Sequence, residues 1–144
     1  MGTVTRSAFV RRPVDEVAKV AIDPDVVFPI LGAFGKFDLI TRNPDGSQEW
    51  NLYIDVGTIH VGSRVVVEPP SGYTLVWHWL RGTRHHGRIE LSPAEGGTTV
   101  TMSETLTFAG FLAGWITGLL AQGILGRRIG AGLEQLRHHI EYGA

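Results

Sequence analysis

The chain has 144 residues, 43% hydrophobic and 19% charged, the composition of one globular domain with a sizeable core. Thirteen basic residues nearly cancel fourteen acidic ones, so no basic field is available to hold a phosphate backbone and nucleic-acid binding is not expected. The absence of cysteine excludes disulfides, thiol catalysis and cysteine-ligated zinc, and suits a reducing cytoplasm.

Thr3 to Arg11 alternates in polarity and predicts a strand, with either face free to turn inward. Its arginines, Arg6, Arg11 and Arg12, precede no apolar run, so the start of the chain does not read as a signal peptide. Pro13-Val14-Asp15-Glu16 opens a helix: proline suits the first turn, and the two acids complement the positive end of the helix dipole. Asp23-Pro24-Asp25 stops it and caps a second short helix, roughly Val26 to Leu31. From Lys36 the period changes to two. Strands are predicted at Lys36–Arg42, Gln48–Val56, Thr58–Glu68, Tyr73–Leu80, Thr83–Ser92 and Thr98–Phe108, making seven with the first. Asn43-Pro44-Asp45-Gly46 and Pro69-Pro70-Ser71-Gly72 are turn signals between them. Gly110 to Tyr142 has helical period, with a kink expected near Gly126.

Leu106 to Gly126 carries no charge over twenty-one residues and includes Gly110, Gly114 and Gly118 at GxxxG spacing. Thr107, Thr117 and Gln122 interrupt it, and its first part continues a strand, so stable membrane insertion is not expected. The same glycines offer a helix-mediated interaction face, such as that of a homodimer.

The order strand, two short helices, six strands, long helix resembles the Bet v 1-like/START-like superfamily (SRPBCC), and within it the bacterial polyketide cyclase/dehydrase and lipid-transport proteins. The matching residues are Arg12-Pro13-Val14-Asp15-Glu16-Val17, Asp23-Pro24, Gly97-Thr98-Thr99-Val100-Thr101, and Leu133-Glu134-Gln135-Leu136 followed by Glu141. The resemblance implies an α+β helix-grip fold over residues 1–144: a seven-stranded curved antiparallel sheet, two short helices and a long C-terminal helix. It also implies a hydrophobic small-molecule ligand, a lipid or a polyketide-like compound, in a cavity between sheet and helix. It implies no single chemistry, because members of the group bind ligands or act as cyclases and dehydratases.

The last two strands can be put in register from their residues. A tight turn at Glu95-Gly96 pairs Ala94 with Gly97, which sets Leu91 opposite Val100, Ile89 opposite Met102, Gly87 opposite Glu104 and His85 opposite Leu106, all on one face. Glu104 is then a carboxylate on an apolar face, with room above Gly87 and His85 on the diagonal. An unpaired buried carboxylate is costly, so a partner is required. Glu104 with His85 reads either as the polar anchor or general base of the pocket, or as a satisfied ion pair. Trp77 and Trp79 share the apolar side of their strand, and an even register sets them beside Gly87 and His85. Met102, Trp115 and Leu119 complete the candidate ligand contacts.

The histidines are not spaced as metal ligands: His85 and His86 point to opposite faces, His138 and His139 sit near a helix end, and no HExxH occurs. Neither a metal nor a cofactor is expected. No GxSxG, P-loop or strand-linked GxGxxG supports nucleophilic or nucleotide chemistry.

Overall fold

The structure, a computed structural model, describes residues 2–56, 59–107 and 123–143. Seven antiparallel strands form one curved sheet: β1 (Gly2–Val10), β2 (Lys36–Arg42), β3 (Gln48–Val56), β4 (Ile59–Val67), β5 (Thr74–Gly82), β6 (Arg84–Ala94) and β7 (Gly97–Thr107). Their spatial order is β1-β7-β6-β5-β4-β3-β2, so β1 and β2 lie at opposite edges although they are consecutive strands in the chain. Helices α1 (Val14–Ala21) and α2 (Pro24–Ile30) make the connection, and α3 (Leu125–Tyr142) packs mainly against β1. This is the expected helix-grip arrangement.

Alternation explains the sheet. In β7, Val100, Met102, Glu104 and Leu106 are buried, while the residues between them are partly exposed. The face of β1 left open by its sequence is settled by packing. Val4 and Val10 turn into the core, and Thr3, Thr5 and Ser7 pair their hydroxyls with Thr105, Ser103 and Thr101 outside, at 2.9, 3.0 and 2.8 Å. Arg64 lies on the outer face, where its Nε donates to Asn51 Oδ1 at 2.6 Å.

The short helices are set by local chemistry. Asp23 caps α2 by accepting the Asp25 N–H at 3.1 Å, and Pro24 occupies the first turn, so α2 starts two residues before the expected Val26. The helix delivers Phe28 to the core. Its ring stacks on Phe37 at 4.0 Å and meets Trp50 and Trp77 edge-on at 5.0 and 5.3 Å.

Helix α3 buries a stripe of Leu125, Ile129, Leu133 and Leu136 and ends at Gly143, whose φ of 74° closes it with a left-handed cap. Near its end, the buried Glu141 accepts the Arg11 N–H and Arg137 Nη1, each at 2.9 Å. The Arg11 N–H above all, with the neighbouring arginines, holds that carboxyl below its ordinary range. The backbone irregularity falls at Gly123, with φ 128°, rather than at Gly126. Gly126 is buried in the helix under the Arg6 guanidinium, where a side chain would collide with it. The expected helical stretch before Gly123, with Gly110, Gly114, Gly118, Trp115 and Leu119, lies outside the described residues. Among the described residues no helix is long and apolar enough to cross a membrane.

Two glycines separate tight packing from open space. A Cβ at Gly97 would fall on the Val10 carbonyl oxygen, which β1 cannot move without breaking its ladder, whereas a Cβ at Gly130 in α3 meets nothing within 4 Å. Gly97→Ala is expected to destabilise the fold by about 1–3 kcal/mol through overpacking. Gly130→Ala is expected to stabilise it by up to about 1 kcal/mol through helix propensity. Urea denaturation of both variants measures the two opposite shifts.

Candidate functional site

The site is built by the β5–β6–β7 portion of the sheet. The β6–β7 register runs Ala94↔Gly97, Leu91↔Val100, Ile89↔Met102, Gly87↔Glu104 and His85↔Leu106, as read from the sequence. On the other side of β6, Trp77 is opposite Gly87. The side chains of His85 and Glu104 are fully buried, and His85 Nε2 is hydrogen-bonded to Glu104 Oε2 along the diagonal. Met102 and Trp77 are buried with them.

Gly87 does not leave open room, as the sequence suggested. A Cβ there would fall on the Trp77 indole, so the space above Gly87 is filled by that ring. The indole is held from behind by Phe28 and by Phe37, whose centroid is 6.3 Å away and whose plane is at 88°. Trp77 and His85 ring centroids are 6.4 Å apart. Phe28 and Phe37 were not among the sequence candidates. Their signal was an aromatic residue in each of two elements, without any indication that the elements converge.

Trp79 departs from its expected place beside His85. The β5–β6 ladder ends at Trp77↔Gly87. On its other side, β5 bulges at Leu80: Trp79 pairs with Val65 and Arg81 with the adjacent Arg64. Trp79 is half-buried; its Nε1 donates to the Gly82 carbonyl at 3.0 Å, and the Arg84 guanidinium lies 4.9 Å from its ring centroid. Trp115 and Leu119 are outside the described residues.

Three buried polar atoms of this cluster have no hydrogen-bond partner among the described residues: Trp77 Nε1, His85 Nδ1 and Glu104 Oε1. Native interiors hold few such groups, and each costs about 1–3 kcal/mol while it stays unpaired. Burial pushes the Glu104 carboxyl above its ordinary range, and the adjacent His85 opposes this without reversing it. The cluster therefore presents an indole donor, a carboxyl oxygen and an imidazole nitrogen, all surrounded by apolar side chains. This composition suits a molecule that is mostly apolar and carries a hydroxyl or carbonyl group. No group of three potential metal ligands occurs among the described residues.

Comparison with known proteins places this fold. No curated protein matches the chain in sequence. Solved structures do match in fold. A protein of Thermus thermophilus has a TM-score of 0.80 at 16% identity, with 99% of each chain covered. The Zhui aromatase/cyclase of Streptomyces sp. R1128 has a TM-score of 0.68 at 16% identity, over 96% of this chain and 93% of that one. A START superfamily protein of Mycobacterium smegmatis has a TM-score of 0.60 at 14% identity, over 94% and 99%. The profile of the family described as polyketide cyclase / dehydrase and lipid transport matches residues 1–141. With that match spanning all the elements that build the site, the chain belongs to the polyketide cyclase/dehydrase and lipid-transport family.

Proposed function

We propose that the protein binds a hydrophobic small molecule, lipid-like or polyketide-like, in a cavity between the sheet and the C-terminal helix. Trp77, His85 and Glu104 form its polar anchor, and Met102 belongs to the apolar wall. The observation that carries this reading is the set of three polar atoms, gathered in an apolar core, that have no partner among the described residues. A ligand hydroxyl that accepts from the indole and donates to the carboxyl, or a ligand carbonyl that accepts from the indole, removes part of the penalty that these unpaired atoms bear. Family membership and the cyclase and START neighbours support the same class of ligand.

One specific observation favours a second reading, catalysis of the cyclase or dehydratase type. His85 is oriented through Nε2 by Glu104 while its Nδ1 has no partner among the described residues. In that reading Nδ1 removes a proton from a carbon next to a ligand carbonyl, or from a hydroxyl. The carboxylate at Nε2 stabilises the resulting imidazolium, and the proton is later returned to the leaving oxygen.

Three outcomes check these readings. Native mass spectrometry of freshly purified protein is expected to find a retained small molecule, and Trp77→Phe is expected to weaken its binding about tenfold by removing one hydrogen bond. A wild-type protein that retains nothing, and whose tryptophan fluorescence is unmoved by long-chain fatty acids or hydroxylated aromatics, overturns the binding reading. If the pair catalyses, Glu104→Gln is expected to lower kcat on a hydroxyketone substrate about a hundredfold with KM little changed. The third outcome concerns stability. The folded-state value of Glu104 is raised above its unfolded value of about 4.5, so the folded chain holds that proton more tightly. Its contribution is complete below that value and is lost as pH rises through the raised folded value. Urea denaturation across pH is expected to show this loss in the wild type and not in Glu104→Gln.

A further inference from the structure

Beyond Trp77↔Gly87 the two strands that flank the site part company. β5 continues to Gly82 paired only with β4, and the first residues of β6, Arg84 to His86, pair only with β7. The turn between them is drawn toward β4: Thr83 N–H donates to the Gly62 carbonyl at 3.0 Å, and Ser63 Oγ bonds to the Thr83 carbonyl. The sheet is thus split at the level of the buried His85–Glu104 pair. On its outer face lies a groove of about 430 Å³ that covers the last rungs of the β5–β6 ladder and reaches the split at His78 and His86. His78, His86, Ser103 and Thr105 line it, and the buried Trp77 and Gly87 also reach it. The His78 and His86 rings meet edge-on there, with centroids 5.9 Å apart.

We propose that this split is a proton-access route from the outer face of the sheet to the buried pair, with His78 and His86 as its relay imidazoles. A proton taken from solvent by His86 passes through water at the split to His85 Nδ1, leaving His86 neutral. The reverse transfer returns it. Nδ1 suits this task because Nε2 is committed to Glu104. When Glu104 is ionised, Nε2 carries the proton and Nδ1 is the basic atom; when Glu104 is neutral, its own proton rests toward Nε2 and Nδ1 is the donor.

The charges around the relay come from β6 and from the residue that follows β4. Glu68, just past the end of β4, lies 3.3 Å from His78 Nε2, and β6 supplies Arg84 and the paired Arg88 and Glu90. From β7 and β1 the groove receives only the hydroxyls of Ser103, Thr105 and Thr3. Burial, reinforced by His78, His85 and Arg84, holds His86 below its ordinary value, so its ring is mostly neutral at pH 7 and free to accept. Residues 108–122 contain no Asp, Glu, His, Lys, Arg or Tyr, so that segment brings no titratable side chain to the buried pair.

The use of the route rests on the pair being the functional site, but its existence is tested without any ligand. Deuterium exchange at the histidine C2–H, read by mass spectrometry on the full ligand-free chain, reports solvent access ring by ring. His85 is expected to exchange faster than global unfolding permits. It is expected to slow about tenfold in the His78→Phe/His86→Phe double variant, while His60 and His138 keep their rates. Ser103→Tyr, which fills the groove and leaves every histidine in place, is expected to slow His85 likewise. Exchange of His85 at the global-unfolding rate in the wild type, or at an unchanged rate in either variant that folds, overturns the proposal. Neither result touches the ligand-binding reading, which native mass spectrometry decides separately.

Discussion

The indole of Trp77 lying over Gly87 is the contact on which the site depends. Only a residue without a side chain leaves space for a six-and-five-membered ring against the backbone of β6. Once seated there, the ring is gripped edge-on by Phe28 and Phe37, which ties α2 and β2 to the middle of the sheet. Because Gly87 stands opposite Glu104 in the β6–β7 ladder, the carboxylate meets no side chain from that position of β6 and reaches diagonally to His85. The same pair, Trp77 and Gly87, is the last rung between β5 and β6. One close approach therefore orients the donor, frees the acid and marks where the sheet splits.

The site does not hold the fold together. A buried histidine–glutamate pair, with one polar atom of each member and the adjacent Trp77 Nε1 lacking a partner among the described residues, is a weaker arrangement than apolar packing of the same volume. The compensation comes from elsewhere: the aromatic group around Phe28, the apolar stripe of α3, and the Glu141 carboxylate that fastens the end of α3 to the end of β1. Departures from good local chemistry that are concentrated at one place, in an otherwise consistent structure, are a mark of function.

The family and the chemistry rest on different grounds. Solved neighbours at 14–16% identity establish the architecture and carry no residue roles. The family itself spans ligand carriage and cyclase chemistry, so the choice between them lies with the pair and its surroundings. A carrier needs the carboxyl and indole only as fixed partners. An enzyme also needs protons to arrive and leave, which a fully enclosed pair cannot provide by itself.

Much of this was legible in the residues. Alternation and the Glu95-Gly96 turn determined the β6–β7 register, and with it the placement of Glu104 opposite Gly87 and diagonal to His85, because a two-residue turn leaves one pairing and the period of two leaves one face. The order of elements likewise determined the helix-grip architecture. Packing between distant segments decided the rest. The bulge at Leu80 turned Trp79 away from His85, since its register answers to β4 as well as β6. The inward face of β1 was chosen by what α3 and the core accept, not by its own evenly alternating residues. The meeting of Phe28 and Phe37 on Trp77, and of His78 with His86, joins side chains from separate elements. Periodicity is a property of one segment and is written in it. Which segments meet, and which polar atoms are left without partners when they do, is a property of the closed three-dimensional packing.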